Sequence, residues 1–281
     1  MLVLIRPLKV SSMMSLQRIL YVASEIAPFL ETSLVSNCVR RLPEAMQSKQ
    51  IDVRIVVPKF GTINDRMNRL HEVLRLSGSI VSVNDVDHSI SVKVSTIPNT
   101  RLQVYFVDNN DLFGSRRSVF KDQNNNFFED NDSRMIFFCM GVMETLKKLE
   151  WEADIVHCHD WITALIPIFW KKMYQDHPLF TKAKLVFTIY NNTFSHHFPF
   201  LAEKIEKLGI APKDAVLLTP GGFQNIIQFA MDYSDLVLRG ETLDAVEFED
   251  FLKKNELPWV QNDDQYNEGY FAVYKSLLLP A

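Results

Sequence analysis

ILYVASEIAPFLETSLVSNCVRRLP, residues 19–43, passes from an apolar run (19–23) through a loop into a helix-like segment that begins near Thr32. In α/β proteins such a strand–loop–helix junction is where a ligand meets the free N–H groups of a helix N-terminus. Close approach there favours glycine, because a Cβ would strike the ligand and positive φ is costly for other residues. No glycine occurs between Ile19 and Gly61, and the loop carries the acid Glu31 where an anionic ligand would want a cation. The junction has the form of an anion-binding turn without the residues such a turn uses.

Outward from this junction, short β-rich runs alternate with helical patterns, the mark of βαβ units and a parallel sheet. Core strands are expected at 19–23, 52–57, 101–107, 154–157, 184–189 and 235–238. Several are almost continuously apolar, as strands covered on both faces should be. Between Leu76 and Val107 the pattern alternates instead. There Pro98-Asn99-Thr100 separates SVKVSTI from RLQVYFV, so an antiparallel hairpin is expected beside the parallel strands. The polar stretch 113–128 reads as a long surface loop. Helices are expected from about 130–132 to Leu149, over 161–174 with a kink or break at Pro167, and over 223–231, 244–255 and 263–279. In the last of these, Tyr266, Tyr270, Phe271, Tyr274, Leu277 and Leu278 form a stripe that should pack on the domain.

Bulk properties narrow the function classes. A net charge of −4 and a pI near 6.0 argue against general binding of nucleic acid or anionic membrane surfaces. No apolar stretch approaches the roughly 18 residues of a membrane helix. The start, MLVLIRPLKVSSMMSLQ, makes a poor signal peptide, and residues 1–17 read as a disordered or extraneous lead-in, with the true start expected near Met13 or Met14. Cys38, Cys139 and Cys158 are far apart and form no CxxC, which reads as buried free thiols in a reducing cytoplasm. Glycine, at 9 of 281 residues, is less than half its typical share of about 7%, which weighs against a phosphate-cradling loop.

Several constellations are candidates for chemistry. His157-Cys158-His159-Asp160-Trp161 stands at the C-terminal edge of an expected parallel strand, where open α/β sheets place ligands. Alternation puts His157 and His159 on one face, but no third metal ligand is evident, so no metal is expected. His157 reads as a core histidine and Asp160 as a helix N-cap. Glu25 either faces the same edge as a site acid or accepts hydrogen bonds from the loop that follows. Asp130-Asn131-Asp132 reads as an N-cap with polar-ligand contact as the alternative, and His196-His197 as surface residues. There is no Walker lysine, no GxGxxG and no nucleophile elbow.

Taken together, these segments resemble the N-terminal domain of the bacterial and plant-type glycogen/starch synthases. The likeness runs through YVASEIAPF (21–29), Leu42-Pro43, DVRIVVPKF (52–60), DNDSR (130–134), DIVHCHDWITALIP (154–167) and VFTIYNN (186–192), from about Arg18 to Leu238. It implies one N-terminal half of a GT-B fold: a Rossmann-like, doubly wound, mostly parallel sheet over 18–260, with 261–281 as a helix packed on the same domain. It also implies ADP-glucose-dependent glucosyl transfer to a glucan. The departures fall at the donor site. The family's lysine–x–glycine–glycine motif reads Glu31-Thr32-Ser33-Leu34, its donor-sugar histidine is Tyr190, a later lysine is Gln228, and the histidine after the HDW tryptophan is Ile162.

The resemblance and its departures imply a degenerate glucosyltransferase domain without independent activity and without a cofactor. Glu25, Thr32, Ser33, Asp160 and Asn191 are its expected vestigial substrate contacts. Binding of a glucan, a nucleotide sugar or a protein partner is the expected remaining role. The alternative is a half-enzyme whose second domain comes from another chain. A regulatory subunit that docks on a synthase through the 266–274 stripe is the third reading.

Overall fold

Five of the six residues of β1 (Arg18–Ala23) are fully buried, so this apolar run can only be a central strand. The structure, a computed structural model, describes residues 16–240 and 266–279. From β1 the chain runs through α1 (Leu34–Ser48) to β2 (Asp52–Pro58), β3 (His71–Glu72), β4 (Ile80–Val83), β5 (Val86–Ser89), β6 (Ser91–Thr96) and β7 (Gln103–Asp108). Next, α2 (Asn131–Leu149) leads to β8 (Ile155–His159) and β9 (Lys184–Ile189). After these come α3 (Leu201–Lys207), α4 (Phe223–Asp232), β10 (Leu236–Arg239) and α5 (Tyr266–Leu277).

The main sheet has eight strands in the order β10-β9-β8-β1-β2-β7-β6-β3. All pairings from β10 to β7 are parallel; β6 and β3 add antiparallel pairs at one edge. The chain builds outward from β1 to one side, then returns to build outward from β8 on the other. Strand order therefore reverses between β1 and β8, and the crevice beyond their carboxyl ends is where doubly wound sheets hold ligands. Their register, Ala23 opposite His159, brings Ser24 and Glu25 next to Asp160 at that point.

Each expected core strand is present, with ends displaced by no more than two residues. The antiparallel hairpin is β6–β7, with Thr96 opposite Gln103. A second hairpin, β4–β5, closes through Asn84 and Asp85, both at positive φ, as a two-residue turn of the primed kind demands. The segment 161–174 is broken, as Pro167 led one to expect: a tight turn at Trp161–Thr163 is followed by Ile166–Ile168 and then by a wide turn in which Tyr174 N–H reaches the Phe169 carbonyl. Pro167 has no N–H to continue a regular ladder. The stretch 113–128 is not a free surface loop, because Phe113 is fully buried and Phe120 and Phe127 are half-buried.

Helix α5 lies on α1 and the sheet, with Tyr270, Tyr274 and Leu278 buried and Phe271 and Leu277 half-buried. The Tyr274 hydroxyl meets His157 Nδ1 at 2.6 Å, and His157 Nε2 meets Thr188 Oγ1 at 2.6 Å. His157 is the core histidine the sequence implies. The helix expected over 244–255 and residues 1–15 of the lead-in lie outside the described residues. Among the described residues no helix is long and apolar enough to cross a membrane.

Candidate functional site

The loop between β1 and α1 is organised around Glu25. Its carboxylate accepts hydrogen bonds from the backbone N–H groups of Thr32 (2.6 Å) and Ser33 (2.7 Å) and from both hydroxyls. Ser33 is the N-cap of α1, its Oγ accepting from Val35 N–H. A helix N-terminus attracts an anion because its first N–H groups lack helical partners. In this chain the Glu25 carboxylate takes the two N–H groups just ahead of α1, and Ser33 Oγ takes that of Val35. Of the two readings left open for Glu25, the loop acceptor is the one realised, at 2% exposure and on the edge where a site acid would stand.

Asp160 follows β8 on the other side of the crevice. It sits at φ 74°, ψ 159°, a region that glycine normally occupies, so its backbone is held there against a local cost. One carboxylate oxygen caps the Trp161 N–H at 2.7 Å, which bears out the N-cap reading; the other accepts from Asn192 Nδ2 at 2.9 Å. Burial raises its pKa to about 6, with the Glu25 charge adding to the rise, against hydrogen bonds from Asn192, Trp161 N–H and Ser24. Asn192 also approaches Ser33 Oγ at 3.3 Å. A polar chain Glu25–Ser33–Asn192–Asp160 thereby ties together the loops after β1, β8 and β9.

These loops line a cleft of about 680 Å³. All five expected substrate contacts, Glu25, Thr32, Ser33, Asp160 and Asn191, lie on its wall. Three of the positions where the resemblance implies a departure, Glu31, Tyr190 and Gln228, do not. Glu31 is exposed at the rim and is not part of the lining. Tyr190 is buried, its hydroxyl 2.8 Å from His159 Nδ1, so it faces the core and not a bound sugar. Gln228 lies on α4, where its amide bonds Asp232 at 2.7 Å.

The opposite wall is aromatic, and the sequence reading missed it. Phe120 packs on Trp161 with ring centroids 4.7 Å apart, and Phe127 stacks on Phe194 at 4.6 Å. What holds this wall is Arg134, a fully buried guanidinium on α2. It donates to the carbonyls of Leu112 and Val119, each at 2.7 Å, and to Asn131 Oδ1, while the Asn131 amide holds the Phe120 carbonyl at 2.8 Å. Four phenylalanine rings, those of Phe60, Phe113, Phe120 and Phe128, surround its charge at 4.9–5.8 Å. Burial lowers its pKa to about 9, which leaves it charged at neutral pH. Asp130 makes no side-chain cap on α2; it forms a two-pronged ion pair with Arg116, a second tie to the same loop. The signal for the wall was present as aromatic residues spaced through a polar stretch, a pattern with no helical or strand period.

The rings of His157 and His159 lie with centroids 3.8 Å apart and planes tilted by 35°, yet among the described residues no group of three or more potential ligands converges on a metal position. Both rings are kept neutral by burial, His159 with a pKa lowered to about 3 and His157 well below the ordinary histidine value.

Residues 18–239 match the family profile of the starch synthase catalytic domain. The chain belongs to that family. It is 36% identical over 242 residues to a glycogen synthase of Chlorobium luteolum, covering 86% of this chain and 48% of that protein. To a glycogen synthase of Chlorobium limicola it is 35% identical over 231 residues, covering 82% and 47%. A solved structure, the catalytic domain of Starch Synthase IV from Arabidopsis thaliana bound to ADP and acarbose, superposes with a TM-score of 0.68 at 20% identity, over 87% of this chain and 51% of that one. That likeness fixes the fold as the α/β architecture of a GT-B starch synthase half. The chain spans about half the length of the relatives it matches.

Proposed function

We propose that this domain binds a neutral glucan in the β1/β8 cleft and does not by itself transfer glucose from ADP-glucose. The observation that carries the reading is the charge of the lining. Among the described residues, Glu25, Asp122 and Asp160 line the cleft against one cation, Lys121. Like charges facing a diphosphate in a desolvated site cost several kcal/mol. The N–H groups of Thr32 and Ser33 just ahead of α1, which would otherwise offset that repulsion, are engaged by Glu25. The remaining lining suits a polyhydroxylated ligand: Ser24, Thr32, Thr62, Asn191 and Thr193 both donate and accept, beside Phe120 and Trp161. Three free thiols agree with a cytoplasmic location in this reading.

Incubation of the purified chain with ADP-glucose and glycogen tests the claim. The expected result is no polymer extension above the enzyme-free control. Extension at a rate proportional to added chain would overturn it. A second reading is a half-enzyme completed by another polypeptide, supported by the match of residues 18–239 to the starch synthase catalytic domain. It predicts that activity appears on mixing with a separately expressed second half of a longer relative. Tyr190, buried on His159, weighs against it from within this half.

A further inference from the structure

At the other end of the sheet, where β9 starts, the chain closes round a small cavity of about 300 Å³. The wide turn that follows Pro167 brings Trp170 and Lys171 to it, and the segment leading into β9 brings Phe180, Lys182 and Lys184. Asp235, just ahead of β10, and Gln175 add to the lining.

We infer that this cavity is a binding site for a phosphate group, either free or carried by a small alcohol, and that it works independently of the glucan cleft. The charges in its lining are unevenly matched. The Asp235 carboxylate is engaged by Lys171 at 3.0 Å and by Leu185 N–H at 2.7 Å, and Lys182 lies 3.2 Å from Glu152. Lys184, half-buried at the start of β9, has no ion-pair or hydrogen-bond partner for its ammonium among the described residues. An anion brought close to such an ammonium favours its charged form. The indole of Trp170 is a second unmet donor. The residue is 3% exposed, and its Nε1 finds no acceptor among the described residues. A buried donor without an acceptor keeps its desolvation cost. The Gln175 amide, exposed beside them, adds a third donor group. A phosphate group presents at least three strong acceptor oxygens and up to two charges, where a carboxylate presents two oxygens and one charge. Phe180, whose ring meets that of Trp170 edge-on at 4.6 Å, offers an apolar side to the carbon skeleton of an ester. The volume stands at the lower end for small-ligand sites, which suits such an ester and not an oligosaccharide.

Calorimetric titration of the full chain with glycerol 3-phosphate, inorganic phosphate and glycerate tests the assignment. The expected result is saturable binding of at least one of the two phosphates, with glycerate at least about tenfold weaker. Tighter binding of glycerol 3-phosphate than of inorganic phosphate would assign the site to an ester, and equal affinities would assign it to the free ion; either supports the inference. Lys184→Met should weaken phosphate binding at least about tenfold. Trp170→Phe, which lacks the indole N–H, and Gln175→Ala, a change at an exposed side chain, should each weaken it in part. Lys172→Met removes the same charge from an exposed position outside the cavity and should leave the affinity unchanged. Absence of saturable binding of both phosphates, glycerate binding as tightly as they do, or equal losses in Lys184→Met and Lys172→Met would overturn the inference.

Discussion

Replacement of Arg134 by methionine is expected to lower the stability of the fold by about 3 kcal/mol or more and to abolish oligosaccharide binding in the cleft. The size follows from what the guanidinium does. It is fully buried and supplies donors to two backbone carbonyls and to Asn131, and the methionine chain supplies none. The orphaned acceptors would keep a desolvation penalty with no partner. Four phenylalanine rings would also lose the cation they surround. The loss of binding follows from position, because Leu112 and Val119 flank the loop that carries Phe120. Urea unfolding measures the first effect. Fluorescence of Trp161, which touches Phe120, reports the second before any ligand is added. Arg134→Lys should be intermediate, since an ammonium keeps the charge but cannot span the same acceptors. Stability within about 0.5 kcal/mol of wild type in Arg134→Met would contradict the anchoring role.

Acidification is expected to destabilise the domain steeply below pH 6.5, and the cause is the adjacent pair His157 and His159. Both are fully buried, and burial holds their folded pKa values below that of an unfolded histidine. The unfolded chain therefore binds two protons that the folded chain refuses, and stability present above pH 6.5 is lost as pH falls towards the folded values. Asp160 acts in the opposite sense. Its folded pKa of about 6 exceeds the unfolded value, so between about pH 6 and 4 the folded state takes up a proton first and recovers part of the loss. The net effect of these three groups is one proton in that window, or about a tenfold fall in the folding constant per pH unit. Other carboxylates add to the fall, so the informative comparison is with His159→Gln, which removes one of the protons. Its stability curve between pH 5 and 6.5 should be shallower than wild type by about a factor of ten per pH unit. Parallel curves would contradict the account.

The main strands were legible because buried parallel strands impose a continuous apolar pattern that nothing in the neighbourhood overrides. The ligand edge was legible for the same reason: once β1 and β8 are placed, the residues after them, Glu25 and Asp160, must meet. What could not be read was the partner of each. Glu25 looked equally like a site acid, and only the approach of Thr32 and Ser33 decides that it serves the loop. Tyr190 stands where the resemblance implies a sugar-contacting histidine, yet its ring reaches His159 and turns into the core. The aromatic wall was hidden in an aperiodic stretch, because its order comes from Arg134 and Asn131 at a distance and not from its own sequence. The β4–β5 hairpin had a signal in Asn84-Asp85, but its strands of four residues fell below a clear alternation.

The cleft is proposed to take a neutral glucan and to reject a nucleotide diphosphate sugar. The most direct measurement is a pair of calorimetric titrations of the full chain, one with maltoheptaose and one with ADP-glucose, under the same buffer at neutral pH. Saturable heat with maltoheptaose and none with ADP-glucose is the predicted result. Saturable binding of ADP-glucose without binding of maltoheptaose would contradict it.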